Sequence, residues 1–135
     1  MNLKNALALL NAKLNLKDYE LNVVELLLKN GAEGSVPNSK IYQILGREVL
    51  EQRNEGLKFK VAEQKLQDLF YEPQVIQHGN IVASFPFLHA YELRIGSKEH
   101  FKYRISSMFL RALHDVAGPV EGLLHTYVTP SSTIH

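Results

Sequence analysis

The residues best placed to do chemistry are basic side chains that alternate with apolar ones in YELRIGSKEHFKYRI, residues 91–105. Between positions 94 and 111 there are five basic residues against one acid, a local excess of +4, whereas the whole chain has a formal net charge of +1. Guanidinium and ammonium groups bind nucleic-acid phosphates without regard to base sequence. The pattern therefore indicates phosphate contact by four residues: Arg94, Lys98, Lys102 and Arg104.

The alternation in this segment predicts a β-hairpin over 91–105 with a tight GSKE turn. The pleat puts the apolar side chains on one face, namely Tyr91, Leu93, Ile95, Phe101, Tyr103 and Ile105. A tight turn brings Arg94 near Lys102 and Glu92 near Arg104. The first of these is a like-charge pair, whose repulsion a polyanion would relieve. Alternatively, the charges form a solvated sheet face that protects an exposed edge.

A second candidate surface is the helix predicted over 62–71 from the period of VAEQKLQDLF, which stops before Pro73. Its polar side carries three residues that can face a DNA groove: Gln64, Lys65 and Gln67. Gln can read adenine and Lys can read guanine. The preceding LKFKV alternates and predicts a short strand, from which Lys58 and Lys60 would add phosphate contacts. An ordinary amphipathic surface helix explains the same pattern.

The elements before this helix are predicted to be helical. Leucines recur at helical spacing over 2–14, and this stripe packs on its own core or forms a dimer seam. Asp18 can cap a second helix, which ends at the Asn-Gly pair 30–31. The stretch GAEGSVPNS predicts a loop. The third helix, from SKIYQILG, either ends at Gly46 or continues to about Arg53.

After residue 73 the pattern changes to strands. QVIQ and IVASFPF flank an HGN turn, and the 91–105 hairpin follows. Ser106 or Ser107 caps an apolar closing helix that ends at Gly118. The segment VEGLLHTYV fits a helix or a strand. The apolar stripes predict a core that contains Leu27, Ile44, Leu66, Leu69, Phe70, Phe109 and Leu113.

This order predicts an α+β fold of winged-helix-like type, in which N-terminal helices precede a β-hairpin wing and a closing helix. The helix that begins at Lys40 and the helix over 62–71 would form the helix-turn-helix pair, and the 91–105 hairpin would be the wing. We expect a single domain over 1–129 and a frayed tail over 130–135.

Four segments carry a family resemblance by their order: VVELLL, SKIYQILG, KVAEQKLQDLF, and IVASFPFLHAYEL with FKYRISSMFLRAL. In this order the chain from Asn22 to Val116 resembles the N-terminal winged-helix domain of plasmid replication initiator (Rep) proteins. The resemblance implies a helix pair, a hairpin and a following helix. In that family the first domain mainly supports dimerisation and backbone contact. Such initiators carry two winged helices and this chain has room for one, so a freestanding DNA-binding regulator is expected.

Composition excludes several kinds of site. The chain has no cysteine, which excludes thiol catalysis, disulfides and Cys-ligated metals. The six histidines stand ten or more residues apart, and Glu121 with His125 could supply two metal ligands if their segment is helical. No catalytic or phosphate-loop motif is present. We therefore expect no enzymatic activity, no metal and no cofactor.

The predicted function is DNA binding by a small non-catalytic winged-helix protein, in transcription or in plasmid or phage replication control. The alternative is a protein-binding module, such as a mobile-element inhibitor or adaptor, which uses the hairpin and the leucine-rich helices as its interface. The expected partners are double-stranded DNA, a second copy of the chain in a homodimer, and a protein partner in the alternative. No apolar run approaches the length of a membrane helix, and the expected location is the cytoplasm.

Overall fold

Helices and strands of an α+β fold make up the computed structural model, which describes residues 1–31, 33–50, 58–93 and 100–123. The elements of this part are α1 Leu3–Leu14, α2 Asp18–Asn30, β1 Glu33–Pro37, α3 Asn38–Leu50, α4 Lys58–Tyr71, β2 Gln74–His78, β3 Ile81–Phe85, β4 Leu88–Leu93, β5 His100–Ile105 and α5 Ser107–Ala117. No helix in these ranges is both long enough and apolar enough to cross a membrane. The α+β prediction is confirmed at this level.

Local capping explains where two of the helices start and stop. Helix α5 begins after Ser106, whose Oγ accepts a hydrogen bond from Phe109 N at 3.4 Å, and it ends at Gly118 with φ of 75°. Both ends of α5 were predicted.

Helix α2 has Lys17 at its N-cap, and Lys17 N donates to Glu20 Oε1 at 2.9 Å. The prediction that Asp18 caps α2 was wrong, because the Glu20 carboxylate satisfies the cap from inside the first turn.

Strand β1 corrects the prediction of a loop over GAEGSVPNS. The sheet has the order β1-β5-β4, and β1 pairs antiparallel with β5 so that Gly34 lies opposite Tyr103 and Val36 opposite Phe101. Gly, Ser and Pro disfavour a strand locally, but the open edge of β5 supplies the backbone partners that the segment needs. Pro37 stands at the end of the strand, where its missing N–H costs least.

A close approach between β1 and the end of α2 requires the glycine in this strand. Tyr103 Oη donates a hydrogen bond to Leu27 O at 2.5 Å, and Asn30 Nδ2 donates to Ser35 O at 2.9 Å. A Cβ on Gly34 would lie 3.0 Å from Tyr103 Oη and 3.1 Å from Asn30 O, and closer still to Asn30 Nδ2. Residue 34 therefore has no room for a side chain.

Helices α3 and α4 differ from the sequence expectation at their ends. Helix α3 runs through a buried Gly46 to Leu50, which is the longer of the two alternatives. Helix α4 begins at Lys58, so the strand predicted from LKFKV was wrong. Five alternating residues are too few to separate a strand from the start of an amphipathic helix. The helical stripe that follows prevails because it packs against the core, with Ala62 and Leu66 buried.

The core contains six of the seven residues predicted for it, each 3% exposed or less: Leu27, Leu66, Leu69, Phe70, Phe109 and Leu113. Ile44 is only partly buried, because Ile41 and Leu45 take the inward positions of α3. Aromatic rings join the elements. Phe70 of α4 stacks on Phe101 of β5 at 5.3 Å between centroids.

The leucine stripe of α1 packs inside its own chain. Leu7 and Leu10 are 4% and 1% exposed, and α1 contacts α5 and α2. Of the two interpretations of this stripe, core packing is therefore the one found. Leu9 lies on the other side of α1 and is 45% exposed.

Strands β2 and β3 form a separate two-stranded hairpin, as predicted, with Gly79 at φ of 62° in the turn. Its inner residues Ile76 and Phe85 are buried.

After α5, Val120 and Leu123 are buried and Glu121 N donates to Met1 O at 3.0 Å. The ambiguous segment VEGLLHTYV thus includes a turn at 121–123, and residues 124–135, with the predicted tail, lie outside the described residues.

Truncating Leu113 should be costly, because its side chain is 1% exposed within the closing helix. We expect Leu113→Ala to lower the free energy of unfolding by about 2–5 kcal/mol. Met108→Ala, on the same helix but at a residue 44% exposed, should cost about 0.5 kcal/mol or less. Urea denaturation monitored by circular dichroism measures both. Equal losses in the two variants would contradict the packing of α5.

Adding one methyl group at Gly34 should also destabilise the protein, although alanine normally favours ordered backbone over glycine. The new Cβ would meet Asn30 and the Tyr103 hydroxyl, which is bonded to Leu27. We expect Gly34→Ala to lower the free energy of unfolding by about 1–3 kcal/mol. Ser35→Ala, on the opposite, exposed face of β1, is the control and should change it little. A Gly34→Ala variant as stable as the control would show that the contact relaxes freely.

Candidate nucleic-acid interface

Helix α4 presents a polar stripe to solvent and buries its apolar stripe. Gln64, Gln67 and Asp68 are exposed, while Leu66 and Phe70 are buried. The exposed stripe continues to Tyr71 at the end of the helix, which is 48% exposed. The surface predicted to face a DNA groove is therefore accessible along the described length of α4.

The β4–β5 hairpin lies directly beside this helix. The Tyr71 and Tyr91 rings stack with centroids 5.1 Å apart, and Phe70 meets Tyr91 edge to face at 5.6 Å. Tyr91 belongs to β4 and packs on Phe101 of β5 at 5.2 Å. Because rings from both elements interlock, the orientation of the hairpin is tied to that of α4.

Burial raises the pKa of the Tyr91 phenol, the nearby Tyr71 and Glu63 raise it further, and a hydrogen bond with Gln67 opposes the shift. The phenol therefore stays neutral at physiological pH. The Gln67 side chain thus lies beside the Tyr91 phenol.

The other two groove-facing candidates have intramolecular contacts as well. Gln64 Nε2 donates to Asp68 Oδ1 at 2.8 Å, one turn further along the helix. Lys65 Nζ lies 4.9 Å from the centroid of the Tyr19 ring on α2. Reading a base edge with Gln64, Lys65 or Gln67 would require exchange of an existing contact, so the free energy gained per base contact is reduced.

Lys58 and Lys60 lie in the first turn of α4 rather than on a strand that leads to it. In helix-turn-helix proteins the N-terminal residues of the recognition helix are the ones that contact base edges. Both lysines therefore belong to α4 itself, the helix predicted to face a DNA groove. Their side chains lie outside the described part of the structure.

Strand β5 has the predicted alternation. Phe101, Tyr103 and Ile105 are buried, while Lys102 and Arg104 are exposed on the outer face of the sheet. Each cation has a small residue opposite it on one side, Ser35 of β1 for Lys102 and Ala90 of β4 for Arg104. On the other side each lies opposite an acid, Glu92 of β4 for Lys102 and Glu33 of β1 for Arg104. Both cations, with Ser35, Ala90 and Glu92, border a shallow depression of about 720 Å³. The other two predicted phosphate contacts, Arg94 and Lys98, lie outside the described residues.

The pairing within this hairpin differs from the prediction by two residues. Lys102 lies opposite Glu92, and Arg104 opposite Ala90, so the expected Arg94–Lys102 and Glu92–Arg104 pairs were wrong. A shift of two residues leaves every side chain on its predicted face, so the apolar alternation cannot detect it. The like-charge argument for a polyanion at Lys102 therefore fails, because the cross-strand neighbour is an acid.

A groove that the sequence did not indicate runs between α2 and α3 and has a volume of about 710 Å³. Lys17, Tyr19 and Arg47 are among its lining residues. The Tyr19 ring is the point where this groove meets α4, because it also contacts Lys65. In the sequence these residues are scattered over two helices, and only the helix packing brings them to one side.

Within the described ranges, no three His, Asp or Glu side chains come together in a group that could hold a metal ion. His125, the second member of the Glu121–His125 pair, lies outside those ranges. Searches of the chain against models of known protein families, curated proteins and solved structures give no match.

Proposed function

We propose that this chain is a non-catalytic winged-helix protein that binds double-stranded DNA in transcription or in plasmid or phage replication control. The observation that carries the proposal is the connectivity around α4. Helices α3 and α4 pack together, and the β4–β5 hairpin, which comes after the β2–β3 hairpin in the chain, returns to pair with β1, the strand between α2 and α3. A helix-turn-helix pair followed by a hairpin wing has this connectivity.

The dimensions of α4 suit a recognition helix. It has 14 residues, which corresponds to a length of about 21 Å, and it is exposed along one side. A major groove about 12 Å wide admits one α-helix. The wing would contribute phosphate contacts from Lys102 and Arg104, joined by Arg94 and Lys98.

The roles within α4 divide along its length. Lys58 and Lys60 stand at the N-terminal end, where recognition helices approach the bases. Beyond them, Gln64 donates a hydrogen bond to Asp68, and Gln67 lies beside the Tyr91 phenol. Phosphate contacts would therefore supply most of the affinity, and sequence discrimination would be modest.

A second candidate function rests on the β2–β3 hairpin. Val75, Ile81 and Val82 are 59%, 58% and 66% exposed on this small element, and clustered exposed apolar residues mark protein interfaces. In a protein-binding module this hairpin would be the contact surface, since the α1 stripe is already covered. A homodimer stays a prediction, which sedimentation at micromolar concentration tests against a monomer of 15.3 kDa.

Neutralising the outer sheet face should weaken DNA binding without unfolding the protein. Lys102→Gln/Arg104→Gln removes two phosphate contacts, so the slope of log Kobs against log salt should become shallower by about 2. The free energy of unfolding should change by about 1 kcal/mol or less, because both residues are exposed. Fluorescence anisotropy with a random duplex over a salt series measures the slope.

The matched control is Lys4→Gln/Arg111→Gln, which removes one lysine and one arginine from exposed positions on α1 and α5. Its slope should equal that of the wild type. If the wild-type protein shows no duplex binding at low salt, the DNA proposal is overturned, and the protein-binding module is the candidate function to test next.

A further inference from the structure

The groove between α2 and α3 has an apolar floor and a charged rim. Leu26 and Ile44 are partly buried along its floor, while Lys17 and Arg47 are exposed at its rim. Its end at Tyr19 adjoins α4, the helix that we assign to the DNA groove. The groove is therefore continuous with the proposed DNA-binding surface.

Tyr19 brings together two lysines that are distant in sequence. Lys17 Nζ lies 5.9 Å and Lys65 Nζ 4.9 Å from the centroid of its ring. Both distances are within the range of a cation–π contact. The ring thus gathers two ammonium groups, one from the start of α2 and one from α4, at the mouth of the groove.

The acids around the groove have roles within α2. Glu25 forms an ion pair with Lys29 at 3.0 Å, so this pair adds no net charge. Glu20 Oε1 accepts the hydrogen bond from Lys17 N. Asp18 stands in the first turn, where a negative charge complements the helix dipole. Lys17, Lys65 and Arg47 stand at the mouth and rim against the two acids of the first turn, which leaves a net charge of +1 there.

We propose that this groove holds the phosphodiester backbone of the bound duplex, with Lys17, Lys65 and Arg47 contacting phosphates beside the segment that α4 enters. The proposal rests on the proposed DNA-binding function and extends its footprint to α2 and α3. Charge complementarity favours a polyanion, and the continuity through Lys65 favours the same duplex that lies on α4. Lys65 then acts on a phosphate from its position over Tyr19, rather than on a base edge.

The test is the salt dependence of duplex binding by Lys17→Gln/Arg47→Gln. Two lost phosphate contacts should make the slope of log Kobs against log salt shallower by about 2. Lys4→Gln/Arg111→Gln is again the matched control, with one exposed lysine and one exposed arginine removed, and should keep the wild-type slope. The Lys17 backbone N–H, which donates to Glu20, is retained in the variant, so helix α2 keeps its cap.

A second measurement does not depend on any variant. Lysine acetylation by an N-hydroxysuccinimide ester, followed by mass spectrometry, compares the free protein with the DNA complex. Lys17 and Lys65 should be acetylated several-fold more slowly in the complex, whereas Lys4 should react at an unchanged rate.

The outcomes separate the two proposals. If wild-type protein fails to bind duplex, the proposed function itself is overturned. If it binds but Lys17→Gln/Arg47→Gln keeps the full slope and Lys17 is not protected from acetylation, only the proposal that the α2–α3 groove holds the DNA backbone is overturned. Titration with tripolyphosphate tests a free anion as the occupant of the groove. If tripolyphosphate binding depends on Lys17 and Arg47 while Lys17→Gln/Arg47→Gln leaves the salt slope of duplex binding unchanged, the proposal for the groove is also overturned.

Discussion

The stacking of Phe70 on Phe101 is the contact on which the rest of the arrangement depends. Phe101 is fully buried on the central strand of the sheet, opposite Val36 of β1 and Leu93 of β4. Phe70 is also fully buried and belongs to α4, and the two rings lie 5.3 Å apart. Loss of either ring would therefore remove the stacked pair that joins α4 to the central strand and leave the Tyr71–Tyr91 stack between α4 and β4. The position of the polar stripe of α4 relative to the sheet is set mainly by these ring contacts.

The fixed position of α4 determines which neighbours its polar side chains contact. Because the buried stripe of α4 is fixed, the positions of its polar residues are fixed too, and each contacts a neighbouring side chain. Gln64 contacts Asp68, Lys65 contacts the Tyr19 ring, and Gln67 contacts Tyr91. Such contacts order the side chains before binding, which lowers the entropic cost of an interface. They also oppose any base contact that needs a different rotamer. A surface of this kind suits recognition of the DNA backbone better than discrimination between bases.

Much of the fold was predictable, and three of the errors arise where contacts between distant segments decide the structure. Periodicity and capping located α1, α5 and the β2–β3 hairpin because those signals act within one segment. Strand β1 was missed because Gly34 and Pro37 signal a loop, and only the open edge of β5 makes the segment a strand. The hairpin pairing was wrong by two residues because alternation is unchanged by that shift. The α2–α3 groove was missed because helix packing, not spacing in the sequence, joins its residues.

Acids beside the cations of the sheet face would reduce its attraction for DNA phosphates. Residues 94–111 have an excess of +4, but the strand pairing adds two acids from outside that range, Glu92 opposite Lys102 and Glu33 opposite Arg104. An acid next to a phosphate contact reduces the favourable potential there, since unlike neighbours partly cancel at a distance. At the Tyr19 junction two ammonium groups share one ring, and the acids of the adjoining first turn of α2 are Asp18 and Glu20. In a chain of net charge +1, cations gathered on adjoining elements, rather than a general positive charge, would have to provide the attraction to a polyanion.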